Sequence, residues 1–331
     1  MNKKVIVFGG GTGMSYLLRG LKNYPLDITA VVSVCDDGGS TGILRDEFNM
    51  TAVGDIRKVL ISLSRTEGDF ENLLNYRFSS MGSLNEHTVG NILLAAATNI
   101  NGSVNSGIKI LSKVLNLSGK VIPFTEDIVT LVGEMQDGTI IEGEHNITKC
   151  PKSIKRVYYK EDPSISEELL KEIASADIIV LSMGSLFTSV IPTLLSENIR
   201  NAIDKSRAKI VYSCNLFTQP GETENYKVSD HIKTLNEYLG KRKIEYVIAN
   251  RATISGKLAI KYATKEQKDP VLLDLEGVKD LCKEAIVDDL VIIEKGVFRH
   301  DYFKLGYLIF SLTFNYNYRE DVVRGKNEEK S

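Results

Sequence analysis

The sequence is short of the features that commit a chain to a membrane, to nucleic acid or to a disulfide scaffold. Its longest apolar stretches, such as Ile92–Ala97, fall far below the ~20 residues that span a bilayer and suit buried helix faces instead. Four cysteines, Cys35, Cys150, Cys214 and Cys282, are scattered over 331 residues with no Cys-x-x-Cys pair. That argues against a disulfide framework or a structural zinc site and predicts buried free thiols. Charge of one sign is missing as well. With 41 basic and 43 acidic side chains the formal charge is -2, too little to steer the chain toward DNA, RNA or an anionic membrane, although a small anion needs only a local site. Met1-Asn2-Lys3-Lys4 runs into a strand-like segment without the apolar core and cleavage site of a leader, so a cytoplasmic location is expected. No internal repeat is present. Neither is a Ser-His-Asp order, a Cys-His pair, a His-Glu-x-x-His or a paired-acid glycosidase spacing; His145, His231 and His300 stand alone.

With 43% apolar residues the chain can bury one large core or two modest ones. Lys4–Phe8 (KVIVF) is a β-branched run ending in GGGTG, and from Ser15 apolar residues recur at helical spacing. A second buried run, Ile28–Val34, ends in Cys35-Asp36-Asp37-Gly38-Gly39-Ser40, completing a β-α-β unit. Helical patterns follow at 55–64, 70–78, 87–98 and 104–115. Between 119 and 160 alternating short runs and Asp137-Gly138, a hairpin signal, predict a β-rich insertion. Buried-strand runs return at 177–182, 209–214, 245–249 and 290–294, and one mostly parallel sheet flanked by helices, a Rossmann-like α/β fold, is expected to collect them. The expected organisation is a single nucleotide-binding domain over 1–317 and a polar, disordered tail from Tyr318.

In GGGTG, Gly9, Gly10, Gly11 and Gly13 permit close backbone approach and Thr12 adds a hydroxyl, so the start of the following helix suits a phosphate. A tight turn without ligand is the alternative. Reading from Gly9, Met14 stands where G-x-G-x-x-G needs its third glycine, and no G-x-x-x-x-G-K-[ST] occurs, which disfavours an NAD fold and a P-loop NTPase. Asp36 and Asp37, some twenty residues on, have three readings: a ribose-binding acid, a carboxylate pair for Mg2+ with a catalytic role, or a solvated turn. Ser40 and Arg45 beyond them offer further phosphate contacts. Asp55 reads as an N-cap and Arg57 as its partner or a ligand contact; Asn91 is an awkward polar residue in an apolar helix, and His87 before it is read as structural. A second small-residue loop, Ser182–Ser189, offers Gly184, Ser185, Leu186, Thr188 and Ser189 to a second phosphate, with N-capping as the alternative. Asn215, Thr218 and Gln219 lie in a polar loop suited to base or sugar recognition.

GGGTG, DDGGSTG-x-L-R, GDIR, HTVGN, GSLFTS and CNLFTQPGET, in that order between about Lys3 and Asn250, resemble the YvcK-type gluconeogenesis factor family. Its wider superfamily includes the 2-phospho-L-lactate transferase of deazaflavin cofactor synthesis. The resemblance implies a Rossmann-like core that binds a nucleotide sugar, notably UDP-N-acetylglucosamine, and a regulatory role in cell shape and cell-wall homeostasis on gluconeogenic carbon sources. The transferase branch implies instead a Mg2+-assisted transfer of a phosphate-linked group at Asp36 and Asp37. A homo-oligomer, a dimer, is expected, with no nucleic-acid partner and no membrane span.

Overall fold

The computed structural model describes residues 2–66, 68–79 and 81–315, and the tail from Tyr318 lies outside them. The first half of the chain runs β1 (Lys3–Gly9), α1 (Gly11–Leu21), β2 (Leu26–Val32), α2 (Gly39–Phe48), α3 (Gly54–Leu63), α4 (Gly68–Asn75), α5 (Val89–Asn101), α6 (Val104–Val114), β3 (Gly119–Pro123), β4 (Leu131–Met135), β5 (Ile140–Glu142), α7 (Glu144–Lys149) and β6 (Ile154–Tyr159). The second half runs α8 (Glu167–Ser175), β7 (Ile178–Leu181), α9 (Glu197–Lys205), β8 (Lys209–Ser213), α10 (Val228–Tyr238), β9 (Tyr246–Asn250), α11 (Lys257–Lys261), α12 (Leu275–Val278), β10 (Glu284–Asp288), β11 (Val291–Glu294), β12 (Val297–His300) and α13 (Tyr302–Thr313).

Seven strands make one parallel sheet in the order β3-β2-β1-β7-β8-β9-β10. Parallel strands are covered on both faces, so their residues are apolar without alternation. In β1, Val5 and Val7 enter a core with α1, α3, α5 and α13, whereas Ile6 and Phe8 enter a second core with α8, α9, α10 and the small sheet. The chain lays β1, β2 and β3 outward one way, then returns to place β7 on the free side of β1. Connections therefore leave β1 and β7 in opposite directions, and a crevice opens beyond their carboxyl ends, where open α/β sheets bind ligands.

Two strand expectations are corrected. Val291–Glu294 does not join the main sheet; it pairs antiparallel with β12 in a separate hairpin, and Glu284–Asp288 takes the edge instead. A short apolar run carries no mark of its partner, and Ile293 in that run is 63% exposed. Gly119–Pro123, read as the start of the β-rich insertion, pairs parallel with β2 at the other edge. The separate antiparallel sheet is β5-β4-β6, with Asp137-Gly138 in the turn between β4 and β5. Cys35 and Cys214 are buried, Cys150 and Cys282 half-buried, and all four are free thiols. Among the described residues no helix is long and apolar enough to cross a membrane.

Candidate functional site

The loops after β1 and β7 meet across the switch point. A Cβ on Gly13 would lie 1.8 Å from the Met183 carbonyl oxygen, so only glycine lets the first turn of α1 approach the second loop this closely. Gly11 takes φ +66°, the left-handed region where side chains are strained. Helix α1 follows Gly10 with no side-chain cap, and its first N–H groups and positive dipole end face the crevice side of the sheet. Helices α2 and α3 also start without a side-chain cap.

The second loop passes through Gly184 and Ser185 into a π-helical turn at Leu186–Val190. Much of the polar equipment expected to reach a ligand is spent between loops. Asn215 Nδ2 donates to the Gly184 carbonyl at 2.7 Å and its Oδ1 accepts from the Gly184 N–H at 3.3 Å. Ser185 Oγ and the Gln219 amide are within 3.0 Å, and Thr218 exchanges bonds with the backbone of Asp269. Thr188 donates to Glu222 at 3.2 Å, Leu186 is buried in the core, and the Ser189 N–H bonds the Ser185 carbonyl. The two loops singled out in the sequence therefore lie together, while several of these side chains shape the wall from within it.

Between the loops lies a pocket of about 400 Å³ that reaches Thr12, Gly13, Gly184, Asn215, Thr218 and Gln219, a volume in the range of small-ligand sites. Its far wall is aromatic. Phe217 lies 4.7 Å from Tyr262 and 5.4 Å from Phe298, centroid to centroid; Arg299 brings positive charge, while Lys268 is paired with Glu266 of the same wall at 3.1 Å. The Arg299 guanidinium stands 5.2 Å from the Tyr16 ring centroid, and the Tyr16 hydroxyl donates to Glu294 at 2.6 Å. His300 closes the base, donating from Nε2 to the Cys214 carbonyl at 3.0 Å; burial pushes its pKa down to about 4, so the ring is neutral at pH 7. Tyr16, Tyr262, Lys268, Phe298 and Arg299 were missed in the sequence. The available signal was Lys295-Gly296 between two apolar runs: both residues have positive φ, +50° and +73°, the requirement of a type I′ hairpin turn.

On the other side of α1 the chemistry is acidic. Asp36 and Asp37 take different hydrogen-bond partners. Asp37 Oδ1 accepts the His145 N–H at 2.9 Å at the start of α7, whereas Asp36 Oδ1 accepts the Gly38 N–H at 3.0 Å. Asp36 lies against Gly54: burial raises its pKa, and the Asp55 charge adds to the rise. Asp55 is not the N-cap of α3, which is Val53; it sits in the first turn, bonds Lys58 at 2.9 Å and lies against Gly10. Arg57 pairs with neither Asp55 nor the pocket. Its Nη1 donates to Asn75 at 3.2 Å, and its stem lines an apolar cavity of about 390 Å³ between α3, α4, α5 and α6. Ser40 Oγ and His87 Nδ1 satisfy one another at 2.9 Å. Thr88 caps α5, and Asn91 and Arg45, each with a buried side-chain atom lacking a protein partner, lie outside the pocket wall. Glu144, on α7, is pushed up to about 7 by burial, with the charges of Asp36 and Asp37 adding to the rise. Among the described residues no group of three or more His, Cys, Asp or Glu side chains forms a metal cage.

Known proteins share this arrangement. The family described as 2-phospho-L-lactate transferase CofD matches residues 5–291. The chain belongs to the CofD family. Within it, this member is 45% identical over 305 residues to a gluconeogenesis factor of Halalkalibacterium halodurans, covering 92% of this chain and 94% of that one. It is 43% identical to the gluconeogenesis factor of Bacillus subtilis, covering 93% of this chain and 98% of that one. A crystal structure of a Bacillus halodurans protein superimposes with a TM-score of 0.91 at 44% identity, covering 94% of this chain and 100% of that one. Relatives at this identity and coverage place this CofD family member in the gluconeogenesis factor group.

Proposed function

We propose that this gluconeogenesis factor works by binding a nucleotide sugar, UDP-N-acetylglucosamine, as a regulatory ligand through which cell shape and cell-wall homeostasis respond to gluconeogenic carbon sources. The observation that carries the reading is the pocket at the switch point. It joins an uncapped helix start at Gly11–Gly13, an aromatic wall of Phe217, Tyr262 and Phe298, and the guanidinium of Arg299. A planar base suits the rings, a pyrophosphate suits the helix start and Arg299, and the polar wall at Asn215, Thr218 and Gln219 suits a sugar. Calorimetric titration tests it. Saturable binding of UDP-N-acetylglucosamine without turnover, with UMP much weaker and NAD silent, is the expected result; a flat trace with every nucleotide sugar overturns it.

A second reading, transfer of a phosphate-linked group from a nucleotide donor to an alcohol, is favoured by one separate observation, the acidic charge next to the glycine loop, where Asp55 lies against Gly10 and its charge acts on Asp36. Mg2+ is commonly held by one or two carboxylates together with substrate phosphates, and Asp36 with Asp55 or Asp37 supplies a donor set of that kind. A bound Mg2+ would supply charge neutralisation at the phosphates. Product formation from an activated nucleotide donor and an alcohol, abolished in Asp55→Asn with the fold intact, is the expected result of this reading. No product from any donor with Mg2+ present removes it.

A further inference from the structure

Glu222 lies beneath both pocket loops, 4% exposed, and does not line the pocket itself. Three donors converge on its carboxylate. Oε2 accepts the Phe187 N–H at 3.1 Å, and Oε1 accepts the Thr188 hydroxyl at 3.2 Å and the Gln219 Nε2–H at 3.0 Å. Phe187 and Thr188 belong to the turn after β7, and Gln219 to the loop after β8, so one carboxylate holds the two loops in register. Ionised, as it is above about pH 7, the carboxylate accepts from all three. An uncharged amide in its place turns a donor toward one of them, and an apolar residue leaves a buried N–H and hydroxyl unpaired.

We propose that Glu222 is a positioning residue for the ligand pocket. Through Gln219 it sets the Ser185 hydroxyl, and through Phe187 and Thr188 it sets the backbone that carries Gly184 into the wall. The ligand end it governs is the polar one, away from the Phe217–Tyr262–Phe298 rings. The inference rests on the nucleotide-sugar reading for its effect on affinity, but its structural core is testable without any ligand.

The experiment uses the full chain and three variants, Glu222→Gln, Glu222→Asp and Thr188→Val, held well below their melting temperatures. Amide hydrogen exchange followed residue by residue reads the loop directly. The Phe187 amide is expected to exchange at least about tenfold faster in Glu222→Gln than in the parent, while amides of β8 keep their protection. Calorimetry with UDP-N-acetylglucosamine is expected to show about tenfold weaker binding in Glu222→Gln and a smaller loss, about threefold, in Thr188→Val, which removes one donor of three. If the carboxylate only stabilises the fold, its substitution lowers the melting temperature and leaves both readouts unchanged; that outcome overturns the proposal. If the parent binds no nucleotide sugar, the pocket reading fails, and the exchange rate of Phe187 alone decides this one. Should Glu222→Gln fail to fold, Glu222→Asp, which keeps the charge but is shorter by one methylene, is expected to show the same pattern, and unaltered Phe187 exchange and affinity in it sink the proposal.

Discussion

The two sides of helix α1 make an instructive contrast. Toward β7 and β8 the walls are aromatic and positively charged and enclose a pocket of about 400 Å³. Toward α2, α3 and α7 they are acidic: Asp36 feels the charge of Asp55, Glu144 feels those of Asp36 and Asp37, and burial has raised the pKa of Asp36 and Glu144. One glycine-rich turn serves both. On the two readings proposed above, the first side would hold a ligand and the second would act on one. Having the first does not require using the second, so the separation can be tested one side at a time.

Backbone space gives the largest expected difference. Gly13 has the Met183 carbonyl within 1.8 Å of where a Cβ would go, whereas Gly39, on the acidic side, has φ +47° and nothing within 4 Å. Gly13→Ala must push helix and loop apart and is expected to cost about 3 kcal/mol and to disable the pocket. Gly39→Ala pays only for a left-handed alanine, about 1 kcal/mol. Denaturant melts of the two variants check the ranking; equal losses would mean that the close approach at Gly13 is not what joins the loops.

The next difference concerns charge. Arg299→Met removes the guanidinium from the pocket and is expected to weaken UDP-N-acetylglucosamine by roughly thirtyfold, the usual value of a charged hydrogen bond. Asp36→Asn, across α1, is expected to leave metal-free binding within about threefold. Paired calorimetric titrations decide it, and the reverse ranking would move the ligand to the acidic side.

The sequence was legible where local chemistry dictates geometry. Buried β-branched runs and the glycines after β1 pointed to the parallel sheet and to both loops, though not to the strand order that makes the switch point, because continuous apolar strands and tight strand-to-helix turns leave compositional marks. It was illegible where partners come from far away. Tyr16 looks like any residue of an amphipathic helix until Glu294 and Arg299 arrive beside it. Asp36 and Asp37 are adjacent in sequence and so read as a pair, yet one accepts the His145 N–H at the start of α7 and the other the Gly38 N–H. Glu222 sits in a polar loop with nothing to mark it as buried, because its burial depends on the turn after β7 folding over it.

Proton linkage offers a smaller contrast. Burial pushes Glu222 up to about 7, with the charge of Glu144 adding to the rise, above an unfolded value near 4.5. An acid raised in the folded state binds more protons folded than unfolded, so its contribution is complete below about pH 4.5 and is lost as pH rises through about 7. His300, lowered to about 4, acts in the opposite direction as pH falls below its unfolded value, but it is common to both proteins and cancels in the difference. The stability advantage of the parent over Glu222→Gln is therefore expected to shrink by on the order of 1 kcal/mol between pH 5 and pH 8. Urea titrations at the two pH values measure it, and an advantage that grows with pH contradicts a raised Glu222.

The smallest expected effect separates the acidic side as a cation site from the acidic side as scaffold. Lys58 bonds Asp55 at 2.9 Å, with Lys58 37% and Asp55 15% exposed, and a pair so near solvent is worth at most about 0.5 kcal/mol to the fold. Lys58→Met should therefore barely move the melting temperature. It also withdraws an ammonium group that competes with any cation for the Asp55 carboxylate. If Asp36 and Asp55 accept Mg2+, the variant is expected to bind it about twofold to threefold more tightly, measured by titrating Mn2+ as a paramagnetic probe and displacing it with Mg2+. If the acids serve only to place Gly10 and the start of α3, removing Lys58 leaves two like charges with less compensation and no gain in cation affinity; the stability then falls slightly, most at low ionic strength where the repulsion is least screened. The sign of the Mn2+ change thus distinguishes the two roles of the same carboxylates, even though the energy involved is close to the thermal energy.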